Sequence, residues 1–399
     1  MFRYTLGKNL KFKRAVFQVR QIMNQQQKQE LKFKQNLQEQ QKRRKWSTIV
    51  TSSIAVLLGT SGVLYLWQPW NPFSSEVSKH LRKGLWLETS KNIDYLKALG
   101  HYQDALRQCR KENMDNLDPR FTGIVLKIAE MYGLLEMVDR QRDVYQRLSD
   151  YLFAKLVNNE VPEEWKDQVI QRDLIVSTRL ATLARPGETL LAMQELWDRM
   201  VFTEQQMVDK VPALKVEGDM DIFEVLKIDS WLSKRRFIKE NIPGDIAWPR
   251  YMEDLVRARD LYATLAMFTK REDDAINLLQ SNILFIKVSG LEPIKISTEL
   301  LNLASAYYFK SESPKDKTGA QQARTMSERL FYTIINEYQG EDEESAVCRA
   351  MSLYSLGIIK KGSSDGDRLF QEARDLATNH GLLQVIEKID SETIQLPQI

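Results

Sequence analysis

Two hydropathy patterns divide the chain. From Trp46 to Trp67 the sequence passes without a charge, "WSTIVTSSIAVLLGTSGVLYLW". A helix of that length reaches roughly 33 Å, close to the ~30 Å hydrocarbon core of a bilayer. The run therefore predicts a transmembrane helix, with Trp46, Trp67 and Trp70 at the depth of an aromatic belt. Thr51, Ala55 and Gly59 recur at every fourth position, with Gly62 beside them. Such a small-residue face lets a second transmembrane helix approach closely, although an ordinary anchor with scattered small residues has the same composition. Residues 68–78, with Pro69 and Pro72, predict a stiff linker. From 79 to 399 apolar positions recur with helical period, and no alternating strand of useful length appears. An insertion over about 204–249 breaks the pattern with Pro212, Gly218, Pro243, Gly244 and Pro249, and places Trp231 and Arg235–Arg236 on a short extra helix.

The helical part repeats. "YLKALGHYQDALRQCRKE" reads as a helix end at Leu99–Gly100 and a new helix with Tyr102 and Ala105. "LKIAEMYGLLEMVDRQRDVYQRL" puts Ala129, Tyr132 and Gly133 in similar roles. The step from Gly100 to Gly133 is close to the period of helix-turn-helix repeats. Small residues allow close helix approach, and Gly supplies positive φ at a turn. Later pairs keep this style without the period: one turns at Pro186–Gly187, one carries Ala263, Ala266 and Ala275, and one carries Leu356, Gly357 and Ala373. These pairs resemble the tetratricopeptide repeat in a degenerate form. They predict an all-α helical repeat array, an α-solenoid, behind one transmembrane helix.

Charge orients that arrangement. Of 57 Lys and Arg and 54 Asp and Glu, residues 1–45 hold 13 bases and only two acids, Glu30 and Glu39; 44 bases and 52 acids remain, so the rest of the chain is net −8. A basic tail precedes an acidic helical region, which excludes nucleic-acid binding by the folded part. The positive-inside bias keeps residues 1–45 on the side of synthesis or import and sends the C-terminal bulk across. The stretch from Met1 to Gln25 contains no acid and places Phe12, Val16, Val19 and Met23 on one helical face, a pattern of mitochondrial import. The expected location is the mitochondrial inner membrane, single-pass, with a Gln-rich matrix tail and the helical domain in the intermembrane space. Only Cys109 and Cys348 are present, which is no disulfide framework.

Signs of catalysis are missing from the sequence. His80, His101 and His380 stand apart, with no HExxH and no phosphate-binding GxxxxGK[ST] loop. No catalytic, cofactor-binding or metal-ligating residue is therefore assigned, no cofactor or small-molecule substrate is expected, and the substrate-binding residues are unknown. "GEDEES" (340–345) reads as a solvated acidic loop, and Trp86, Trp165, Trp197, Trp231 and Trp248 read as core.

The layout as a whole resembles the fungal adaptor subunit of the mitochondrial i-AAA protease. The segments "ALGHYQDAL" and "LATLARPGETLLAMQELW", together with the basic tail, span and linker, carry the likeness. It implies a non-catalytic, membrane-anchored adaptor that binds unfolded or unassembled polypeptides and delivers them to the protease. The implied partners are i-AAA protease subunits, a second membrane adaptor and the unfolded substrates. The alternative is a scaffold for assembling a respiratory-chain complex in the same membrane. The orientation has a direct check: protease added to mitoplasts should digest the helical region, and a region still shielded after the outer membrane is opened would reverse the assignment.

Overall fold

The computed structural model describes residues 72–185, 187–211, 214–215, 247–289, 293–312, 317–340 and 342–393. The basic tail, the expected span with Trp46, Thr51, Ala55, Gly59, Gly62 and Trp67, and most of the insertion, including Trp231 and Arg235–Arg236, lie outside the described residues. Among the described residues no helix is long and apolar enough to cross a membrane.

Thirteen α-helices and no strand occur among the described residues. They are α1 (Ser75–Thr89), α2 (Tyr95–Lys111), α3 (Pro119–Leu134), α4 (Val138–Val157), α5 (Glu163–Thr182), α6 (Thr189–Lys210) and α7 (Met252–Phe268). After these come α8 (Glu272–Ser289), α9 (Pro293–Ser311), α10 (Lys317–Glu337), α11 (Glu343–Ile359), α12 (Ser364–Asn379) and α13 (Leu383–Thr393). Helix α1 begins inside the expected linker. Helix α6 runs on to Lys210, so residues 204–210 extend a packed helix, with Met207 and Val208 buried.

Short polar residues start the helices. Ser74, Asp94, Asp118, Asp342 and Ser363 each accept a hydrogen bond from a backbone N–H of the first turn that follows. This satisfies donors that would otherwise have no partner. Asp342 also accepts from the Ser345 hydroxyl at 2.6 Å. The expected acidic loop is therefore in part a helix cap, followed by Glu343 and Glu344 at the positive end of the α11 dipole. The ends of α2, α3, α4, α7 and α12 share one device. A left-handed residue follows the cap, at Asn113, Glu136, Asn159, Lys270 and Gly381. The next backbone N–H then reaches back into the last turn, as from Met114 to the Cys109 carbonyl at 3.0 Å and from Met137 to that of Tyr132 at 2.9 Å.

These ends correct the turn expected at Leu99–Gly100. Tyr95–Lys111 is one continuous helix, with Gly100 in its interior. Gly133 also lies within a helix, α3. Where glycine matters between helices it is for close approach. A Cβ at Gly84 would sit 2.9 Å from the Tyr102 ring, joining α1 to α2, and one at Gly357 would sit 2.9 Å from the Phe370 ring, joining α11 to α12. The turn expected at Pro186–Gly187 does use positive φ, +97° at Gly187; Pro186 itself lies outside the described residues.

The described helices fall into two compact units divided within α5, between Val169 and Ile170. In the first, α1, α2, α3 and α4 pack in sequence order around Leu99, Tyr102, Ala105, Ile128, Met131 and Tyr132. In the second, α6 to α13 again pack each on the next, and α7 also touches α9, α9 touches α11 and α11 touches α13. The odd-numbered helices thus form an inner layer, and their even-numbered partners flank it. Helices α7 and α11 are buried almost all round; Ala258, Ala263 and Ala266 on α7 and Ala346, Ala350 and Leu356 on α11 have no exposed surface. Ala373 on α12 is equally buried.

A charged node ties three of these helices. Arg259 of α7 donates to the Glu204 carboxylate of α6 and, at 2.7 Å, to the Asn282 side-chain oxygen of α8, and both ions are nearly fully buried. Removing one member of such a node leaves a charge in the interior. Arg259→Ala should cost about 3–5 kcal/mol of unfolding free energy, whereas an Arg259→Met, Glu204→Leu double variant should cost much less. Urea denaturation followed by circular dichroism distinguishes the two.

Candidate functional site

Polypeptide-binding repeat arrays usually present the inner helices to their ligand. Here the inner face between α7 and α9 is a polar ladder. Lys295 pairs with Glu253, which also accepts from Arg257 at 2.6 Å, and Asn302 donates to Asp260 at 2.7 Å. Burial raises the pKa of Glu253, but its pairing with Lys295 and Arg257 outweighs this and holds it low. The face is occupied by its own ion pairs and shows little apolar surface.

The first unit is different. Its start is pinned: the Pro72 carbonyl accepts from Arg120, Phe73 packs on the apolar cluster, and the Ser74 hydroxyl donates to Glu112 at 2.8 Å. A polar junction then joins three helices. The Tyr102 hydroxyl donates to Glu88 at 2.6 Å, and Lys127 of α3 pairs with the same carboxylate at 2.9 Å and with Glu130 at 3.2 Å. Burial, then the Glu88 carboxylate, push the Tyr102 phenol far above its ordinary pKa. Burial works against the charge on Lys127, but the pairing with Glu88 and Glu130 outweighs it and raises that pKa.

Where the chain reverses, this unit exposes apolar side chains. Leu85, Trp86, Ile93 and Leu96 flank the α1–α2 connection, and Leu134, Met137 and Val138 flank the α3–α4 connection. Successive packed helices reverse direction, so both connections lie at one end of the unit, opposite the end where α1 begins. Trp86 is 66% exposed, which corrects its expected place in the core. Trp165, Trp197 and Trp248 are part-buried; Trp197 lies against Tyr262 with ring centroids 5.1 Å apart, and Trp248 meets Phe285 edge-on at 5.3 Å.

The histidines that stand apart in sequence come together here. His80 of α1 and His101 of α2 have ring centroids 5.9 Å apart. One donor atom from each, with one carboxylate oxygen of Asp104, lie within 4.8 Å of one another. Both Nδ1 atoms are buried without a hydrogen-bond partner, and the Asp104 Oδ2 atom is 3.7 Å from His80 Nδ1. The other Asp104 oxygen accepts from Arg107 at 2.7 Å. The available signal was His101 and Asp104 at i, i+3 on one helix face; His80 lies on the preceding helix and needs the α1–α2 pairing to be placed.

The residues read from the sequence as a repeat signature are buried or part-buried. Leu99, Tyr102, Ala105, Ala129, Tyr132, Leu356 and Ala373 are buried, Gly357 is closed over by Phe370, and Gly100 and Gly133 are part-buried within helices. Both thiols are free and buried, and burial raises their pKa, so neither is a poised nucleophile.

This arrangement defines the class: the described residues are all-helical, with helices that stack in sequence order within each unit, consistent with a helical repeat array. No family model matches the chain. It is 26% identical over 284 residues to the mitochondrial inner membrane i-AAA protease supercomplex subunit MGR3 of Saccharomyces cerevisiae, covering 64% of this chain and 56% of that protein. It is 25% identical over 296 residues to the protein MRG3-like of the same yeast, covering 68% of this chain and 62% of the relative. The chain thus spans less than two thirds of the length of either relative. These matches bear out the resemblance read from the sequence, to a fungal subunit of the i-AAA protease complex.

One buried base outside these features generates a pH effect. Burial lowers the pKa of Lys388 on α13 to about 7, opposed by the Glu392 carboxylate, and its ammonium lies 5.5 Å from the Tyr354 ring centroid. Glu392 is itself paired with Lys361 at 3.0 Å. Between about pH 7 and the ordinary lysine value, the unfolded chain holds a proton that the folded chain has released, so stability rises with pH across that window. Thermal melts should shift upward from pH 7 to pH 9. Lys388→Met should be more stable at pH 7 and should flatten that rise.

Proposed function

We propose that this chain is a non-catalytic adaptor of the i-AAA protease, held in the mitochondrial inner membrane by Trp46–Trp67. Its helical region, tetratricopeptide-like in the intermembrane space, binds unfolded or unassembled membrane-associated polypeptides and passes them to the protease. The observation that carries this reading is the similarity over 284 residues to a subunit of the i-AAA protease supercomplex. The stacked helix pairs support it, because such arrays serve as binding surfaces. In this reading Thr51, Ala55, Gly59 and Gly62 face a partner's transmembrane helix.

The exposed apolar end of the first unit suits the client. An unfolded membrane polypeptide offers apolar side chains, and Leu85, Trp86, Ile93, Leu96, Leu134, Met137 and Val138 offer a matching surface. The pinned start of α1 keeps that surface about one helix length, roughly 22 Å, from the emerging linker. A bound client would then lie within reach of a partner anchored in the same membrane.

Co-purification tests the proposal. The full chain should bring down a hexameric AAA protease, and with a proteolytically inactive partner it should also retain unfolded client. Trp86→Ser with Leu96→Ser should lower retained client several-fold and leave the protease bound. Recovery of a respiratory-chain assembly intermediate in place of the protease would overturn it.

A further inference from the structure

We propose that His80, His101 and Asp104 form a binding site for one divalent transition-metal ion of borderline softness, with zinc as the type case. The inference rests on geometry alone and is independent of the adaptor function. Three donors from two helices converge within 4.8 Å. Tetrahedral zinc, with ligand distances of about 2.0–2.2 Å, holds its donors roughly 3.4 Å apart, so side-chain rotations of about an ångström close the site. The helices need not move.

The polar bookkeeping of the cluster points the same way. A buried nitrogen without a hydrogen-bond partner is destabilising, and His80 Nδ1 and His101 Nδ1 are two of them in adjacent helices. The carboxylate of Asp104 is divided: Arg107 takes Oδ1, and Oδ2 faces His80. Arg107 therefore stands behind the carboxylate, where it orients the oxygen that remains for the metal. Asp104 is part-exposed, so ions reach the site from solvent and water completes the coordination.

The donor set selects the ion. Two imidazoles and one carboxylate suit zinc, cobalt, nickel and copper, whereas calcium and magnesium take oxygen ligands. Bound metal would cross-link α1 to α2 next to the close contact of Gly84 with Tyr102. It would stiffen the helix pair that carries Leu85, Trp86, Ile93 and Leu96.

Competition inside the chain is slight, because it holds only three histidines and two cysteines, and both cysteines are buried. His380 is the one histidine outside the cluster and serves as an internal control. The purified full chain in detergent, stripped with chelator and desalted, is titrated with Zn2+ by calorimetry and with Co2+ by visible absorption. The expected result is one equivalent of Zn2+ and a four-coordinate Co2+ spectrum. His80→Ala and His101→Ala should each weaken binding by at least ~10-fold, and Asp104→Asn should weaken it with helix content unchanged. His380→Ala should bind as the native chain does. Absence of Zn2+ binding by the native chain overturns the proposal. So does equal binding by the native chain, His80→Ala and His101→Ala.

Discussion

Within each of the two units, the described helices depend on their neighbours in sequence for burial. In proteins most of a helix's stability comes from packing its apolar face, and a short helix such as the 11-residue α13 is marginal alone in water. Fully burying a large apolar side chain contributes about 1.5–3 kcal/mol, far more than helix propensity gives any one residue. Side chains such as Tyr145, Phe285, Phe331 and Met131 are shielded only when adjacent helices close over them. The packing order of each unit follows: α1 on α2 on α3 on α4, and α6 through α13 in turn. Direct contacts among α7, α9, α11 and α13 are the second consequence, because the first helix of each pair must bury its remaining face against the next pair. Small buried residues are frequent in α7 and α11 for the same reason, as with Ala258, Ala263 and Ala266 on α7 and Ala346, Ala350, Ser352 and Gly357 on α11.

Apolar packing of this kind tolerates sliding, and the buried polar ties do not. A one-turn slip of about 5.4 Å between α7 and α8 would remake many leucine and alanine contacts. It would separate Arg259 from Asn282 and leave the buried side-chain oxygen of Asn282 without its donor. Glu88 acts similarly in the first unit, where one carboxylate serves Tyr102 of α2 and Lys127 of α3. Such ties add little net stability compared with a well-packed apolar replacement. Their energetic weight falls on the wrong registers, which they make costly.

Helix content, the small residues at helix contacts and the serial pairing were legible because they are written in local periodicity. Turn positions were not. Glycine was read as the turn residue at Gly100 and Gly133, but the left-handed positions that close α2, α3, α4 and α7 are Asn113, Glu136, Asn159 and Lys270. Asparagine tolerates positive φ, so Asn113 and Asn159 carry a weak marker, but at Glu136 and Lys270 the backbone hydrogen bonds of the helix end outweigh the modest cost of an ordinary side chain and composition gives none. Bulk and apolarity favour the core on average, but Trp86 lies on the side of α1 turned away from the cluster of Leu99 and Tyr102, against which its neighbour Leu87 packs. The histidine cluster escaped a local motif search for a topological reason. His80 and His101 are joined only by the reversal between α1 and α2.

Helix α1 concentrates three different demands in 15 residues. Its first turn is fixed by Ser74 and by the contact of Pro72 with Arg120, its middle carries His80, and its last turns carry Leu85, Trp86 and the carboxylate of Glu88. Because a helix is stiff over this length, a displacement at its start is carried to its end instead of being absorbed between. The contact of Gly84 with Tyr102 sets how closely α1 can lie on α2. Any ligand that draws His80 toward His101 acts across that same seam. The pinned start, the histidine cluster and the apolar display are thus features of one helix pair. A change that loosens the α1–α2 seam must act on all of them, while the polar ladder of the second unit has its own separate ties.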